Sequence, residues 1–381
     1  MTFDMNQIQR GARLRRSPFF EATQRHGAKA YTVYNHMLFP VCFGDLEEEY
    51  WHLLNHVTLW DVSVERQVEI TGPDAFIFTD MLTPRDLSKC AVGQGKYVVI
   101  TADDGGIIND PVLLRLAENH FWLALADSDV LLWARGVALN LGLRVEIKEP
   151  DVSPLQVQGP KAKEVMGALF GDPVLKLRYY YFLETRLDGI PVVVTRTGWT
   201  GEVGYEIYLR DGAKGDALWE RIMQAGRAHH IRPTGPSDIR RVEAGILNWG
   251  ADMTLENNVY EVGLERLVDR DKRAAYIGKD ALQRIQSEGV RRKLAGIEIE
   301  GGRIEFNTSK WPVRTGGETV GRVTSAIYSP RLKKNIGYAM LPLAHAALGT
   351  SLRVEIPGVG ERKATVVSMP FVDPDKEIPK A

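Results

Sequence analysis

One pattern occurs twice in this chain, and it limits the fold more than any other feature. "RQVEITGPDAFIFTDMLT" (Arg66 to Thr83) reads as a strand, a Gly-Pro turn and an amphipathic helix. "SPLQVQGPKAKEVMGALF" (Ser153 to Phe170) repeats that order, with Gly159-Pro160 lying 87 residues beyond Gly72-Pro73. Proline suits the first turn of a helix, where its missing N–H would have no intrahelical partner. Two further strands and a second helix follow each copy. In the first they are "PVLLRLAENHFWLALA" and "SDVLLWARGVALN"; in the second, "IPVVVTRTGWTGEVGYEIYL" and "GDALWERIMQAGRAHH". The repeat length suffices for one small α+β unit, so the pattern predicts two related lobes, each a sheet covered by helices.

Beyond the second copy, "IRRVEAGILNWG" spaces Val242, Ile246 and Trp249 close to a helical period. An Asn/Asp/Glu-rich segment and a short helix, "YIGKDALQRIQSEG", come next. From Arg291 the pattern changes to short alternating strands: "KLAGIEIE", "PVRTGGETVGRVTSAIYS", "NIGYAML", "SLRVEIPG" and "ERKATVVSM". Regularly spaced strands broken by Gly and Pro predict a small barrel or sandwich. The polar tail "DPDKEIPKA" is expected to fray.

Composition narrows the functional classes. A formal net charge of −1 gives no electrostatic footprint for nucleic acid or an anionic membrane. No apolar run reaches membrane-spanning length, and "MTFDMNQIQRGARLRR" lacks the apolar core of a secretory leader. Two distant cysteines, Cys42 and Cys90, make neither a disulfide framework nor a zinc site and fit a reducing cytoplasm. The zinc-protease, nucleophile-elbow and P-loop motifs do not occur, and "GQGKY" is not followed by the helix a dinucleotide site needs. With no ligand spacing among the eight histidines, no protein-bound metal is expected.

What remains is a group of carboxylates and aromatics in Gly-rich turns. In "DDGGIINDPVLLRL", Asp110 precedes Pro111 and reads locally as a turn cap. Glu206 in "GYEIYL" falls on the opposite strand face from Tyr205 and Ile207, the position of a solvated glutamate. Trp199, in a loop with glycines three residues apart, reads either as a hairpin core residue or as a wall for a flat ligand.

Taken together, these segments resemble the folate-binding aminomethyltransferase (glycine-cleavage T-protein) family. "RTGWTGEVGYEI" is similar to its R-T-G-Y-T-G-E-x-G-x-E signature, "GGIINDP" to its G-G-I-x-D-D segment, and "VEAGILNWGADM" to its L-E-A-G-L-x-x-Y-G-x-D helix. "VTSAIYSPRLKKNIGYAML" resembles its late barrel motif, and the matches run in order over nearly the whole chain. Within the family, "AKAYTVYNHMLFP", "LLNHVTLWDVSVERQVEI" and "LTPRDL" resemble the dimethylsulfoniopropionate demethylases. Two places revert to the general pattern: "TGWTGEVGYE" stands for S-G-W-S-K-Q-G-G-[YF]-E, and "GPSDIRR" for G-C-P-N-x-I-E-R. Ser237 replaces the arginine of the general A-R-D-S-L-R motif.

The resemblance implies an α+β fold of three domains in a cloverleaf ring, two related α+β lobes plus a C-terminal β-barrel, with tetrahydrofolate in the central channel. It divides the chain into a discontinuous folate-binding domain (1–60 and 150–280), a second lobe (61–149) and a barrel (281–381). It assigns the catalytic aspartate to Asp110 and pterin contacts to Glu206, Trp199 and Tyr97. A carboxylate can accept two N–H donors from the edge of a reduced pterin side by side. Tyr31 and Trp199 are candidates to hold an onium donor by cation–π contact; Lys29 and Arg241 are weaker candidates for a donor carboxylate. Glu202, without the neighbouring lysine of the demethylases, is expected to make the loop more negative and to disfavour anionic donors.

The implied activity is a cytoplasmic, tetrahydrofolate-dependent demethylase acting on a small methylated onium compound, dimethylsulfoniopropionate first. Its partners are the donor and tetrahydrofolate, with oligomeric state left open. The alternatives are the aminomethyltransferase of glycine cleavage and a non-enzymatic folate-binding regulator.

Overall fold

The computed structural model describes residues 13–381. Most of the segment read as lacking a leader, residues 1–12, therefore lies outside the described residues. Among those described, no helix is long and apolar enough to cross a membrane.

The repeat is realised as two sheets of matching topology. In the first lobe the strand before Gly72-Pro73, Gln67–Thr71, pairs antiparallel with His120–Ala124, which pairs with Val112–Ala117. In the second, Ser153–Gln158 pairs antiparallel with Gly204–Leu209, and that strand with Ile190–Thr195. Helices Ala75–Met81 and Val130–Ala138 pack on the first sheet's apolar cluster around Phe78 and Phe121. Ala162–Phe170 and Gly215–Gly226 do the same on the second, around Trp219 and Val194.

Each copy donates its leading strand to the other's sheet. Thr58–Asp61, just ahead of the first copy, pairs with Ser153–Gln158 in the second sheet. Glu146–Lys148, just ahead of the second copy, pairs with Gln67–Thr71 in the first. The two crossing chains meet, with Arg66 gripping Glu149 through Nε–Oε1 at 3.0 Å and Nη2–Oε2 at 2.5 Å. Each Gly-Pro glycine abuts the backbone just ahead of the exchanged strand. A Cβ on Gly72 would lie 2.5 Å from the Arg144 carbonyl oxygen, and one on Gly159 would lie 2.5 Å from that of His56. Their φ values, +117° and +122°, also favour glycine.

The sheets pack face to face through Leu114, Trp122, Val193 and Tyr208. This face carries Glu206, two residues from Tyr208, and every residue of Gly204–Leu209 is buried. The solvated position expected for Glu206 is corrected accordingly: a strand alternates between two faces, but here both are covered.

Six strands from Arg292–Ile299 to Gly360–Val367 close into a barrel. The helix expected through Trp249 is shorter, Asp238–Glu243, with the Ser237 hydroxyl accepting from Arg240 N–H at its start. It ends before Gly245, whose φ is +65°. This helix packs on the barrel, and a core of Tyr50, Ile107, Val242, Leu294 and Tyr338 joins the barrel to both lobes. The C-terminal tail does not fray. Phe371 and Val372 N–H bond the Glu243 carbonyl, and the Ala381 backbone oxygen accepts from Arg196 Nη2 at 2.6 Å.

Candidate active site

A cavity of about 350 Å³ opens where the lobes, the 245–249 segment and the C-terminal tail meet. The strand pairing that ends at Asn109 brings Asp110 to its wall. Asn109 is buried and fully bonded: its amide donates to the Ala126 carbonyl (3.0 Å) and Ser128 Oγ (2.8 Å), and its oxygen accepts from Ala126 N–H. Holding this bend requires both a donor and an acceptor, which accounts for an amide in the first position of the Asp-Asp motif.

The Asp110 carboxylate makes no turn-capping bond to a following backbone N–H. Its Oδ2 accepts from the Tyr97 hydroxyl at 2.8 Å, while Oδ1 is buried without a partner. Burial raises its pKa to about 7, against the stabilising Tyr97 bond. Tyr97 and Trp199 both line the cavity, and the Arg241 guanidinium lies 5.7 Å from the Trp199 ring centroid.

Glu206 stands one side chain back from the cavity. Its carboxylate accepts from Gln156 Nε2 (2.7 Å), Tyr208 (3.1 Å), Thr195 (3.3 Å) and the Thr197 hydroxyl. Gln156 is the residue that lines the cavity, and its Oε1 is buried without a partner. Burial pushes the Glu206 carboxyl up in spite of the four donors.

Tyr31 is not brought to the cavity. Its hydroxyl meets Thr23 Oγ1 at 2.8 Å and its ring lies 5.2 Å from Phe20, whereas Thr32 and Tyr34 of the same strand line the wall. Lys29 is exposed. Arg241 is wholly buried and already engaged with Asp238 (2.6 Å) and Asp252 (3.0 Å). The extra negative charge expected from Glu202 is matched inside the fold, since its carboxylate meets Arg240 Nε at 2.7 Å with both side chains buried.

Sequence reasoning missed several lining residues. Glu65 lies on the crossover between the sheets and lines the cavity. Burial pushes its carboxyl well above the usual range, and Glu206 and Asp110 add to the effect. Tyr179, Tyr180 and Trp249 also line the wall. The run "YYYF" at 179–182 was the available signal for the tyrosines; nothing local distinguished Glu65 from a strand residue.

The cavity therefore has an acidic region at Glu65 and Asp110, two unpaired acceptor atoms and aromatic walls. It suits a flat, amphipathic ligand with N–H donors, or a cation.

Comparison with known proteins agrees with this architecture. Residues 19–272 match the GCVT N-terminal domain, and residues 292–373 match the Glycine cleavage T-protein C-terminal barrel domain. The chain is 42% identical to "Dimethylsulfoniopropionate demethylase DmdA" of Ruegeria pomeroyi, over 93% of this chain and 96% of that one. It is 34% identical to the aminomethyltransferase of Symbiobacterium thermophilum, over 94% and 97% of the two chains. The crystal structure of glycine cleavage system aminomethyltransferase T from Bartonella henselae superposes with a TM-score of 0.85 at 25% identity, covering 94% of this chain and 98% of the other. On its two matched domains and these full-length similarities, the chain belongs to the glycine-cleavage T-protein family of enzymes.

Proposed function

We propose that this enzyme moves a methyl group from a small onium compound, dimethylsulfoniopropionate first, to tetrahydrofolate. The observation that carries the reading is Asp110, whose unpaired Oδ1 sits at an aromatic-walled cavity beside a second carboxylate, Glu65. The residues fit the cofactor: Asp110 Oδ1 and Gln156 Oε1 are unpaired acceptors for pterin N–H groups, and Trp199, Tyr179 and Trp249 are walls for its rings. Tetrahydrofolate, when bound, supplies the N5 nucleophile.

Methyl transfer is an in-line displacement, so the protein's main task is alignment. A sulfonium leaves as a neutral thioether and needs no proton, which frees Asp110 from acid catalysis. The one proton released is the acceptor's own N–H proton, which would pass to the ionised Asp110. Its carboxylate orients the acceptor and stabilises positive charge on the donor. Glu65 adds a second anion, and Tyr34, beside both, adds an aromatic face for the cation. Glu206 acts through Gln156, fixing the amide so that its oxygen faces the cavity.

The test is formation of 5-methyltetrahydrofolate from sulfonium, betaine, methylamine and methoxyaromatic donors at matched concentrations. Dimethylsulfoniopropionate is expected to rank among the best donors; a neutral methoxyaromatic outperforming every onium compound sinks the reading. Full-length similarity to an aminomethyltransferase favours a second reading, glycine cleavage on a lipoyl carrier. Ammonia release from an aminomethylated carrier, in place of methyl transfer, would establish that alternative.

A further inference from the structure

The last eight residues lie beyond the matched barrel domain, which ends at 373. They return from the barrel to the second lobe as a strap. Asp373 accepts from Glu377 N–H at 3.0 Å and Ile378 N–H at 2.8 Å, and Ala381 is held by Arg196, a residue only 3% exposed. The turn places Asp373, Lys376 and Pro379 on the cavity wall.

Two cations stand at this part of the wall. Lys376 is partly buried, and neither it nor Arg266 has an ion-pair partner among the described residues. The Arg266 guanidinium lies 5.7 Å from the Tyr97 ring centroid, and the hydroxyl at the far end of that ring bonds Asp110. The cavity is thus polarised, with carboxylates at Asp110 and cations one aromatic ring away. Burial, and then Arg266, hold the Lys376 ammonium below the usual lysine range, against the opposing pull of Asp373, whose carboxylate is tied to the Glu377 and Ile378 N–H groups.

We infer that Arg266 and Lys376 bind a ligand carboxylate, and that it is the glutamyl end of tetrahydrofolate. The inference rests on the folate reading above. A pterin engaged at Asp110 and Gln156 needs an anion site farther along an elongated molecule. The cation pair lies on the outer side of Tyr97, where Arg266 is solvent-exposed. A donor only a few atoms long, reacting beside Asp110, is the other source of a carboxylate, and it would have to reach around Tyr97. Residues 374–381, which follow the matched barrel domain, would then act as a specificity element.

The test compares equilibrium binding of tetrahydrofolate and tetrahydropteroyl amide, in which NH2 replaces the glutamate and no carboxylate remains, to the full-length protein and to Lys376→Ala, Arg266→Ala and their double variant. The wild-type protein is expected to prefer tetrahydrofolate by about tenfold, the scale of two partly exposed charge-assisted contacts. The double variant should lose that preference while binding the amide normally. Lys376→Arg should keep it, and added salt should shrink it. Equal wild-type affinity for the two compounds overturns this inference and leaves the folate reading standing. So does a double variant whose donor KM rises while its tetrahydrofolate preference stays intact, since the carboxylate would then be the donor's. If neither compound binds the wild-type protein, the folate reading fails and this inference with it.

Discussion

Asp110 shows how one residue can serve activity at the expense of stability. Its pKa in the folded protein, about 7, lies above the ordinary 3.8 because burial penalises the charge. The folded state therefore holds the proton more tightly than the unfolded state. The ionisation penalty is absent below about pH 4, grows between 4 and 7, and is full above 7. Asp110→Asn removes the charge in a nearly isosteric side chain. It should lower turnover roughly 100-fold or more, while raising stability by about 2–4 kcal/mol at pH 8 and by little at pH 4. Urea titrations at the two pH values check the stability, and a variant with wild-type turnover would reduce Asp110 to a structural residue. If the ionised form is the active one, kcat/KM for an onium donor rises with pH to a plateau above about 7. The other titratable groups acting on or near it are Asp252, Glu65, Tyr34 and Tyr97. Tyr97→Phe deletes the hydrogen bond that favours the Asp110 anion, so the acidic limb should move up by about one unit. A pH–rate profile that keeps its midpoint in this variant would separate Tyr97 from the titration.

At the scale of elements, the repeat was legible because it couples a rare local event to a long-range one. A Gly-Pro turn is visible in sequence, and its glycine is required where the exchanged strand passes. Gly72→Ala or Gly159→Ala should each cost about 2–5 kcal/mol, through a clash with backbone and a φ that alanine resists. Gly136 provides the contrast: it is exposed in helix Val130–Ala138, and an added Cβ would meet nothing within 4 Å. Gly136→Ala should stabilise the protein by about 0.5–1 kcal/mol. Chemical denaturation of the three variants tests the ordering, and a mild Gly159→Ala would mean that the exchanged strand has room to shift. Other elements were less legible because tertiary partners decide them. Glu206 reads as solvated until a second sheet covers its face, and Glu65 reaches the cavity only because its segment crosses between sheets. The polar tail "DPDKEIPKA" has no apolar pattern to anchor it; its anchor is Arg196, far away in sequence. Helix Asp238–Glu243 stops early at a glycine within an otherwise helical period, which placed Trp249 on the cavity wall.

Across the whole molecule, the same short helix decides whether three lobes behave as one body. Arg240, Arg241, Val242 and Glu243 are all buried. Glu243 accepts from Tyr50 (2.7 Å) on one side and from Ser329 of the barrel (2.6 Å) on the other. Arg241 meets Asp252 at 3.0 Å and Ser325 at 3.0 Å, and Asp252 in turn accepts from Thr324 (2.8 Å) and Ser325 (2.6 Å). The apolar core around this network draws residues from both lobes and the barrel. Unfolding the barrel alone would therefore expose that core and leave buried charges without partners, a cost the rest of the fold cannot recover. The expected calorimetric profile is one transition, with calorimetric and van't Hoff enthalpies in agreement. Asp252→Ala leaves the Arg241 guanidinium with Asp238 as its one carboxylate partner and takes the acceptor from the barrel hydroxyls. It should cost about 3–5 kcal/mol, the scale for breaking a buried pair, and split the profile in two as the barrel loses its hold on the lobes. A wild-type protein that already melts in two steps would show that the shared core does not couple the domains. The cavity walls, drawn from all three, would then depend on the ligand for their alignment.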